Sequence, residues 1–390
     1  MQLRPEDLLI LSSIKINPTR VELEQTNKLV LQVQDWDYLT KTAIEHQAGP
    51  LLYKKLSLLS NQTNIPEATR NSLKQSWLRT LSRSMVLIEH FKKISEAFNT
   101  EGIPFIAMKG ILLSEWLYHE IGLRQFSDMD LLVKKEDVEK CIGILRAMGY
   151  QSNELKLSKF VKENTEYVHF PPMVKNGVSV EIHIKISRES ESYHVNLSDL
   201  WKQAKPVTLH GAKALAFDVN DLLLHLCLHL DKHFRGGKVQ FTCFYDITNL
   251  LEQHAADIDW ERFKDTCIQY NAVEQTYPYI YLSAKYMNVP IPKSAENVLT
   301  SLRYTKKERL FIALLKGKTH ENYSGFFRSL KKLGSPLKIV RYLFEMTFPS
   351  KEFMLQRYHI RRKSLLFLYY PFRILTGLKA ACGSIINKCR

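Results

Sequence analysis

The stretch Arg124-Gln125-Phe126-Ser127-Asp128-Met129-Asp130-Leu131-Leu132-Val133 decides how the rest of the chain is read. In a β-strand, side chains two residues apart share a face. Asp128 and Asp130 therefore project together, while Met129, Leu131 and Val133 pack the other way. Two like charges side by side on a strand are unfavourable. A strand that carries them is expected to hold a cation between them. Hard divalent ions take carboxylate oxygens and leave positions open for substrate phosphates.

Upstream, Ile103-Pro-Phe-Ile-Ala-Met108 suits a short buried strand that ends at Lys109-Gly110. Ile111 to His119 then reads as a helix. Downstream, Glu136 to Met148 is helical, with Val138, Ile142, Leu145 and Met148 as its apolar stripe and Gly149 as its stop. Glu166 to Phe170 reads as one arm of a hairpin, Asn176-Gly177 as its tight turn, and Val178 to Ile186 as the second arm. Val178, Val180, Ile182 and Ile184 face the core; Ser179, Glu181, His183 and Lys185 face the other way. Glu181 thus falls on a polar strand face, as Asp128 and Asp130 do. A plainer reading pairs Glu181 with Lys175 or Lys185, and makes Lys109 and Arg124 members of ordinary surface ion pairs.

Residues 1–100 read as helical. Leu78, Leu81, Met85 and Ile88 recur at helical spacing, in a helix opened by Pro66 and running to about Asn99. Helix returns at Asp221 to His233 behind Asn220 as N-cap, and continues through Tyr245–His254, Trp260–Tyr270 and Tyr277–Met287. Pro290 and Pro292 mark a break. The expected fold is α-rich α+β, with a small mixed β-sheet embedded between N- and C-terminal helical regions. Its expected parts are 1–100 (helical), 101–190 (sheet and acids), 191–300 (helices over the cleft) and 301–390 (basic and helical).

This order of elements suits phosphoryl-type transfer, which needs in-line positioning and cancellation of phosphate charge more than covalent help. Two cations roughly 3.5–4 Å apart, held by carboxylates, would serve the attacking and leaving oxygens. A glycine at the strand end lets backbone N–H groups approach a phosphate, and Arg124 offers a planar fork of donors.

Met108-Lys109-Gly110, Arg124-x-x-Ser127-Asp128-x-Asp130-Leu-Leu-Val, Gly149-Tyr150 and Glu181-x-His183 together resemble the DNA polymerase beta-type nucleotidyltransferase superfamily. The nearer resemblance is to the bacterial uncharacterised nucleotidyltransferase family. It runs from about Phe105 to Ile186, and more weakly through Leu-Leu-His225-Leu-Cys-Leu-His229 and Tyr245-Asp246-Ile247. The resemblance implies an enzyme that moves a nucleoside monophosphate from an NTP, with ATP the expected donor, to an acceptor hydroxyl. It implies Mg²⁺ (or Mn²⁺) on Asp128, Asp130 and Glu181, with Glu181 also the base for the acceptor. Lys109, Gly110, Arg124 and Ser127 would bind the nucleotide. Removal of Asp130 is expected to abolish transfer and leave folding nearly intact. Ile111 departs from the family turn, where a hydroxyl or second glycine usually follows the glycine. That departure motivates a rival: a nucleotide-binding or regulatory protein on a degenerate scaffold. The acceptor stays open among small molecule, sugar, peptide and protein.

His225, His229 and His233 share a helix face by their four-residue spacing. They read as packed helix residues, as a wall of the pocket, or, with Asp246, as a Zn²⁺ site. No Ser-His-Asp order, Walker A motif or dinucleotide glycine fingerprint is visible.

Composition is that of an ordinary folded chain, 45% hydrophobic and 24% charged, but the net charge of +15 is unevenly placed. Residues 302–390 carry 20 Lys/Arg against 4 Asp/Glu, while the preceding 301 residues carry 35 against 36. The acid-bearing region is therefore no general basic nucleic-acid surface. Within the tail, basic residues flank an aliphatic and aromatic run. This fits peripheral membrane contact through residues 361–386, RNA binding less well, and a core helix with a solvated basic face. The peripheral reading supplies a further alternative, a membrane protein that works through its tail. No stretch is uncharged and apolar over about 18 residues, so no spanning helix is expected. No secretory signal is evident. Six cysteines without a CxxC pair read as reduced thiols, and the expected location is cytoplasmic, with membrane association through the tail as the alternative.

Overall fold

The computed structural model describes the chain outside residues 1–2, 61–63, 153–155, 166, 237–240, 290, 294, 296–304, 317–329, 331–332, 361 and 387–390, with backbone alone at 236, 305 and 377–386. The architecture is α+β, a seven-stranded mixed sheet flanked by helices.

The sheet runs in the order β3-β4-β5-β2-β1-β7-β6. Its centre is β1 (Phe105–Met108), antiparallel to β2 (Asp128–Val133), which is in turn parallel to β5 (Val178–His183). Phe105 to Met108 are buried throughout, as a central strand requires. The register sets Met108 opposite Asp130, and Asp130 opposite Glu181.

The expected hairpin turn exists at Asn176-Gly177, where both residues have positive φ, but its first arm lies elsewhere. β4 (Met173–Lys175) pairs with β5, whereas the segment read as a strand from Glu166 makes only an isolated bridge, His169 to His183. Glu166 itself lies outside the described residues. Pro171 and Pro172 follow Phe170 and supply no N–H groups, so the ladder cannot continue through them. β3 (Gln151–Ser152) closes this edge. A second hairpin, β6 (Lys205–Leu209) and β7 (Ala212–Ala216), extends the sheet beyond β1 and was not anticipated. Pro206 sits in the edge strand, where its missing donor is tolerated.

The N-terminal helices are α1 (Pro5–Ser12), α2 (Arg20–Val30), α3 (Trp36–Glu45), α4 (Gly49–Ser57) and the long α5 (Glu67–Thr100). α5 packs against the sheet, with Phe91 and Phe98 edge-on to Phe105 at 6.3 and 5.6 Å. Its buried face keeps Ile88 of the expected stripe but is rotated so that Leu78 and Leu81 are only half-buried. Leu73, Ser76, Thr80, Ser84, Leu87 and Phe91 are buried, while Met85 is exposed. The reason is the close crossing of α4: a Cβ on Gly49 would stand 2.7 Å from Ser76 Oγ, so this face needs small side chains.

α6 (Lys109–Trp116) follows β1, and α7 (Val138–Ala147) follows β2. Short helices α8 (Lys159–Glu163) and α9 (Leu197–Gln203) lead to α10 (Val219–Gly236), α11 (Thr242–His254), α12 (Trp260–Gln269) and α13 (Val273–Met287). At the start of α10 the cap is Asp218, whose Oδ1 accepts from Asp221 N at 2.9 Å. Asn220, expected in that role, instead exchanges hydrogen bonds with Asp259. One apolar cluster joins Leu9 to Leu315, including Phe311 of α14 (Thr305–Leu315). The remaining helices, α15 (Pro336–Thr347), α16 (Lys351–Arg357) and α17 (Leu366–Ile386), join the body at α8 through a small cluster around Val161, Leu330 and Tyr342.

Candidate functional site

The acids gather where β1, β2 and β5 lie side by side. Asp130 Oδ1 accepts from Lys109 Nζ at 2.7 Å and lies 2.8 Å from His183 Nε2. Glu181 Oε2 stands 3.5 Å from His183 Nε2 and 3.6 Å from His169 Nε2. Parallel pairing of β2 with β5 sets Asp130 beside Glu181, and the two-residue period puts His183 on the same face. Lys109 reaches this face from the β1–α6 junction, where its φ of 47° is unusual for a residue with a side chain.

Electrostatics follow from burial and these contacts. Asp130 is 3% exposed. Burial alone would raise its pKa, but the Lys109 ammonium and His183 outweigh it and hold the carboxyl well below its usual range. Burial likewise opposes the charged forms of Lys109 and His183, yet the carboxylates raise both. Glu181 is lowered, its burial outweighed by the His183 hydrogen bond together with the His169 and His183 charges. Asp128 goes the other way. Burial, then the charge of Asp130, pushes it up to about 6.

Among the described residues, only Asp130, Glu181 and His183 bring three ligand atoms within 4.8 Å of one another. Two carboxylates and an imidazole on adjacent strands suit a divalent cation. Asp128, expected as a ligand, lies outside that group in this geometry while sharing its field. The plain pairings for Glu181 do not form: Lys175 donates to the Met148 carbonyl and Lys185 pairs with Glu189.

The other expected nucleotide contacts sit differently. Arg124 is buried, and its Nε and Nη2 donate to the two oxygens of Asp246 at 2.8 and 2.7 Å. Tyr118 donates to the same carboxylate at 2.9 Å. The fork expected to face phosphate thus ties the β2 approach to α11. It also removes Asp246 from any Zn²⁺ site with His225 and His229. Gly110 is buried, and a Cβ there would lie 2.8 Å from the Phe126 ring. Ile111 is wholly buried in the core. Ser127 is exposed, and its carbonyl accepts from Arg83 at 2.8 Å.

α10 carries a row of imidazoles toward the acids. His225 and His229 stack at 6.2 Å, and His229 meets His233 edge-on at 4.4 Å. His225 is buried and its Nε2 has no hydrogen-bond partner. Burial, then the Lys109 charge, pushes it down to about 3, so it is neutral. Lys232, on the same helix, has an exposed side chain. Its amine is nonetheless lowered, first by burial, then by Arg188 and Lys109. Arg188 has a buried Nε without a hydrogen-bond partner. Beside His169 opens a cleft of about 690 Å³, lined by Ile142, Tyr167, Phe170, Met173 and Ile184 together with Arg146 and Lys162.

Sequence reasoning brought out Asp130, Glu181 and Lys109 but gave no role to His169, Arg188 or Lys232. Their signal is tertiary: none lies in a motif, and only folding brings His169 and Lys232 into the field of Glu181 and Arg188 into that of Lys232. His183 was visible as the second residue of Glu181-x-His183 without a function attached.

A family model described as uncharacterised nucleotidyltransferase matches residues 32–288, a span that contains every residue of this cluster. No curated protein matches the chain.

Proposed function

The chain belongs to the uncharacterised nucleotidyltransferase family, and on that premise we propose that it transfers a nucleoside monophosphate from an NTP, ATP first among them, to a hydroxyl-type acceptor. The observation that carries this reading is the junction of Asp130, Glu181 and His183 within 4.8 Å, with Lys109 on the same oxygen as His183. Asp130, Glu181 and His183, with Asp128 beside them, would hold a divalent cation, Mg²⁺ or Mn²⁺. When bound, such an ion supplies charge cancellation on the phosphates and polarises the reacting centre.

In the proposed step the acceptor oxygen attacks the α-phosphorus. The bond to the bridging oxygen breaks, and pyrophosphate leaves with its electron pair. Glu181, held ionised by His183, takes the acceptor proton. The triphosphate is drawn by Lys232, Arg188 and Lys109; the Lys232 amine is lowered first by burial and then by the charges of Arg188 and Lys109. An incoming polyanion relieves that repulsion. The cleft beside His169 is the proposed acceptor cavity, since His169 both lines it and lies within 3.6 Å of Glu181. Its apolar walls suit an acceptor with a hydrophobic part.

A second reading, nucleotide binding without turnover, is favoured by the first turn of α6. Ile111 lies in the core and Gly110 packs under Phe126, so that turn presents no hydroxyl to a phosphate.

The test is thermal unfolding with each NTP, with and without Mg²⁺ or Mn²⁺, on the natural chain and on Glu181→Gln, followed by assay for pyrophosphate release. Glu181 is chosen because it is half-buried. A cation-dependent rise in midpoint corresponds to roughly 2.7 kcal/mol at 100 times Kd. That rise, lost or reduced in Glu181→Gln and accompanied by pyrophosphate release, supports transfer. A rise without release supports the second reading. No rise with any NTP refutes both.

A further inference from the structure

α15 (Pro336–Thr347) and α17 (Leu366–Ile386) are fastened to each other. Tyr370 Oη donates to the Pro349 carbonyl at 2.8 Å, Arg373 Nη2 donates to the Met346 carbonyl at 2.7 Å, and the Phe348 and Tyr370 rings stack at 6.3 Å. The inner face of α15 is occupied: Ile339, Tyr342 and Met346 pack around Phe160 and Val161 of α8. Its outer face is not covered by any of the described residues. Leu337, Val340 and Phe344 follow one another at helical spacing, with Leu337 82% and Phe344 63% exposed. α17 repeats the pattern with Leu368, Phe372 and Leu375, the last 66% exposed, and Phe367 beside them. Single exposed apolar residues need no explanation, but two fastened helices with unpartnered apolar faces do.

What surrounds these faces narrows the occupant. Lys338, Lys351, Arg357, Arg362 and Lys363, within α15 and α16 or just before α17 in the chain, are all exposed. The segment 302–390 holds 20 Lys/Arg against 4 Asp/Glu, while the rest of the chain is nearly balanced. Aliphatic and aromatic faces on a segment so rich in exposed cations complement a surface that is apolar a few ångströms down and anionic at the top. Among the described residues, no helix is long and apolar enough to cross a membrane. We propose that α15 and α17 form an interfacial docking element that lies flat on an anionic lipid surface, apolar side chains inserted and basic residues among the headgroups. A nucleic acid would satisfy the charge and leave the apolar faces in water. A second copy would satisfy the apolar faces and bring like charges together.

Co-sedimentation of the full chain with vesicles of phosphatidylcholine alone, and of phosphatidylcholine mixed with phosphatidylserine, tests this. The variants are Leu337→Glu/Phe344→Glu and Phe367→Glu/Leu375→Glu; all four side chains face solvent, so an unchanged unfolding midpoint verifies that the fold is kept. The natural chain is expected to sediment with the anionic vesicles, less so as salt is raised. Each double variant is expected to bind about tenfold more weakly or worse, the effect of withdrawing large apolar side chains from the lipid. The proposal is overturned if the natural chain stays in solution with both vesicle types, or if the double variants bind as it does. Retention by RNA in place of vesicles would also overturn it, as would self-association that the variants abolish without any vesicle binding. None of these outcomes depends on nucleotide binding, so the docking element stands or falls apart from the proposed chemistry.

Discussion

One oxygen of Asp130 serves both Lys109 and His183, so a single side chain both organises the candidate site and neutralises a buried ammonium. This alters what a substitution there would do. An exposed strand acid could be removed with folding intact, but Asp130 is not one. Asp130→Ala would leave Lys109 buried without its partner, which costs about 3–5 kcal/mol. Urea unfolding of Asp130→Ala should show a loss of that size, and Asp130→Ala/Lys109→Met should recover part of it. Equal stability of Asp130→Ala and the natural chain would show that the ammonium finds another partner. The cation that two strand aspartates call for is thus supplied in part by the chain itself. Lys109 is the residue that the Lys-Gly motif pointed to, although its partner is a carboxylate of the site.

At the scale of elements, one buried polar link ties the approach to β2 to α11, and a second, partly exposed one joins the start of α10 to α12. Arg124 and Tyr118 converge on Asp246 and fix the approach to β2 against α11. A planar fork on a carboxylate is a demanding contact that lysine cannot reproduce. The other link starts α10. Asp218 caps the helix and Arg262 donates to it at 2.7 Å, while Asp221, buried beside it, accepts no hydrogen bond at Oδ2. Burial, then the Asp218 charge, pushes Asp221 up from 3.8 to about 7. The folded chain therefore holds a proton that the unfolded chain has lost between those values. The stability linked to it is fully present below pH 3.8 and is lost as pH rises through about 7. Asp221→Asn removes this dependence. Its unfolding free energy should exceed that of the natural chain at about pH 8, by roughly 1–4 kcal/mol, and should match it near pH 4. An unchanged difference across that range would mean that Asp221 is ionised in the fold.

For the whole molecule, the apolar core does not end where the break at Pro290 and Pro292 begins. Phe311 of α14 packs on Phe241, Phe244 and Tyr286 at 5.6, 4.9 and 5.0 Å. A chain cut at residue 301 would lose this side chain and leave a cavity in the main core, at a cost of about 3–5 kcal/mol. A chain cut after Lys316 keeps α14 and should unfold at a midpoint near that of the full chain. Comparable stability of the two truncations would show that α14 is dispensable. The charge follows a different division: nearly all the excess lies after residue 301. α14 thus belongs by packing to the body and by charge to the tail.

The sequence alone determined the parts whose signal is local. Alternation in β2 and β5 put Asp128, Asp130 and Glu181 on polar strand faces, because the period of a strand is two residues whatever surrounds it. Asn176-Gly177 marked its turn because few residues adopt two successive positive φ values. Periodicity and breaks located most of the helices from α5 to α13. Only tertiary structure decided which acids and bases meet. Asp130 joins Glu181 and His183 because β2 pairs in parallel with β5, and strand order is a long-range property that no short window of sequence contains. It likewise rotated the buried face of α5 so that Met85 of its apolar stripe is exposed, gave Arg124 to Asp246 in place of open solvent, and, among the described residues, left the outer faces of α15 and α17 uncovered. Each of these outcomes depends on which surface lies opposite, and that is settled by packing between residues far apart in the chain.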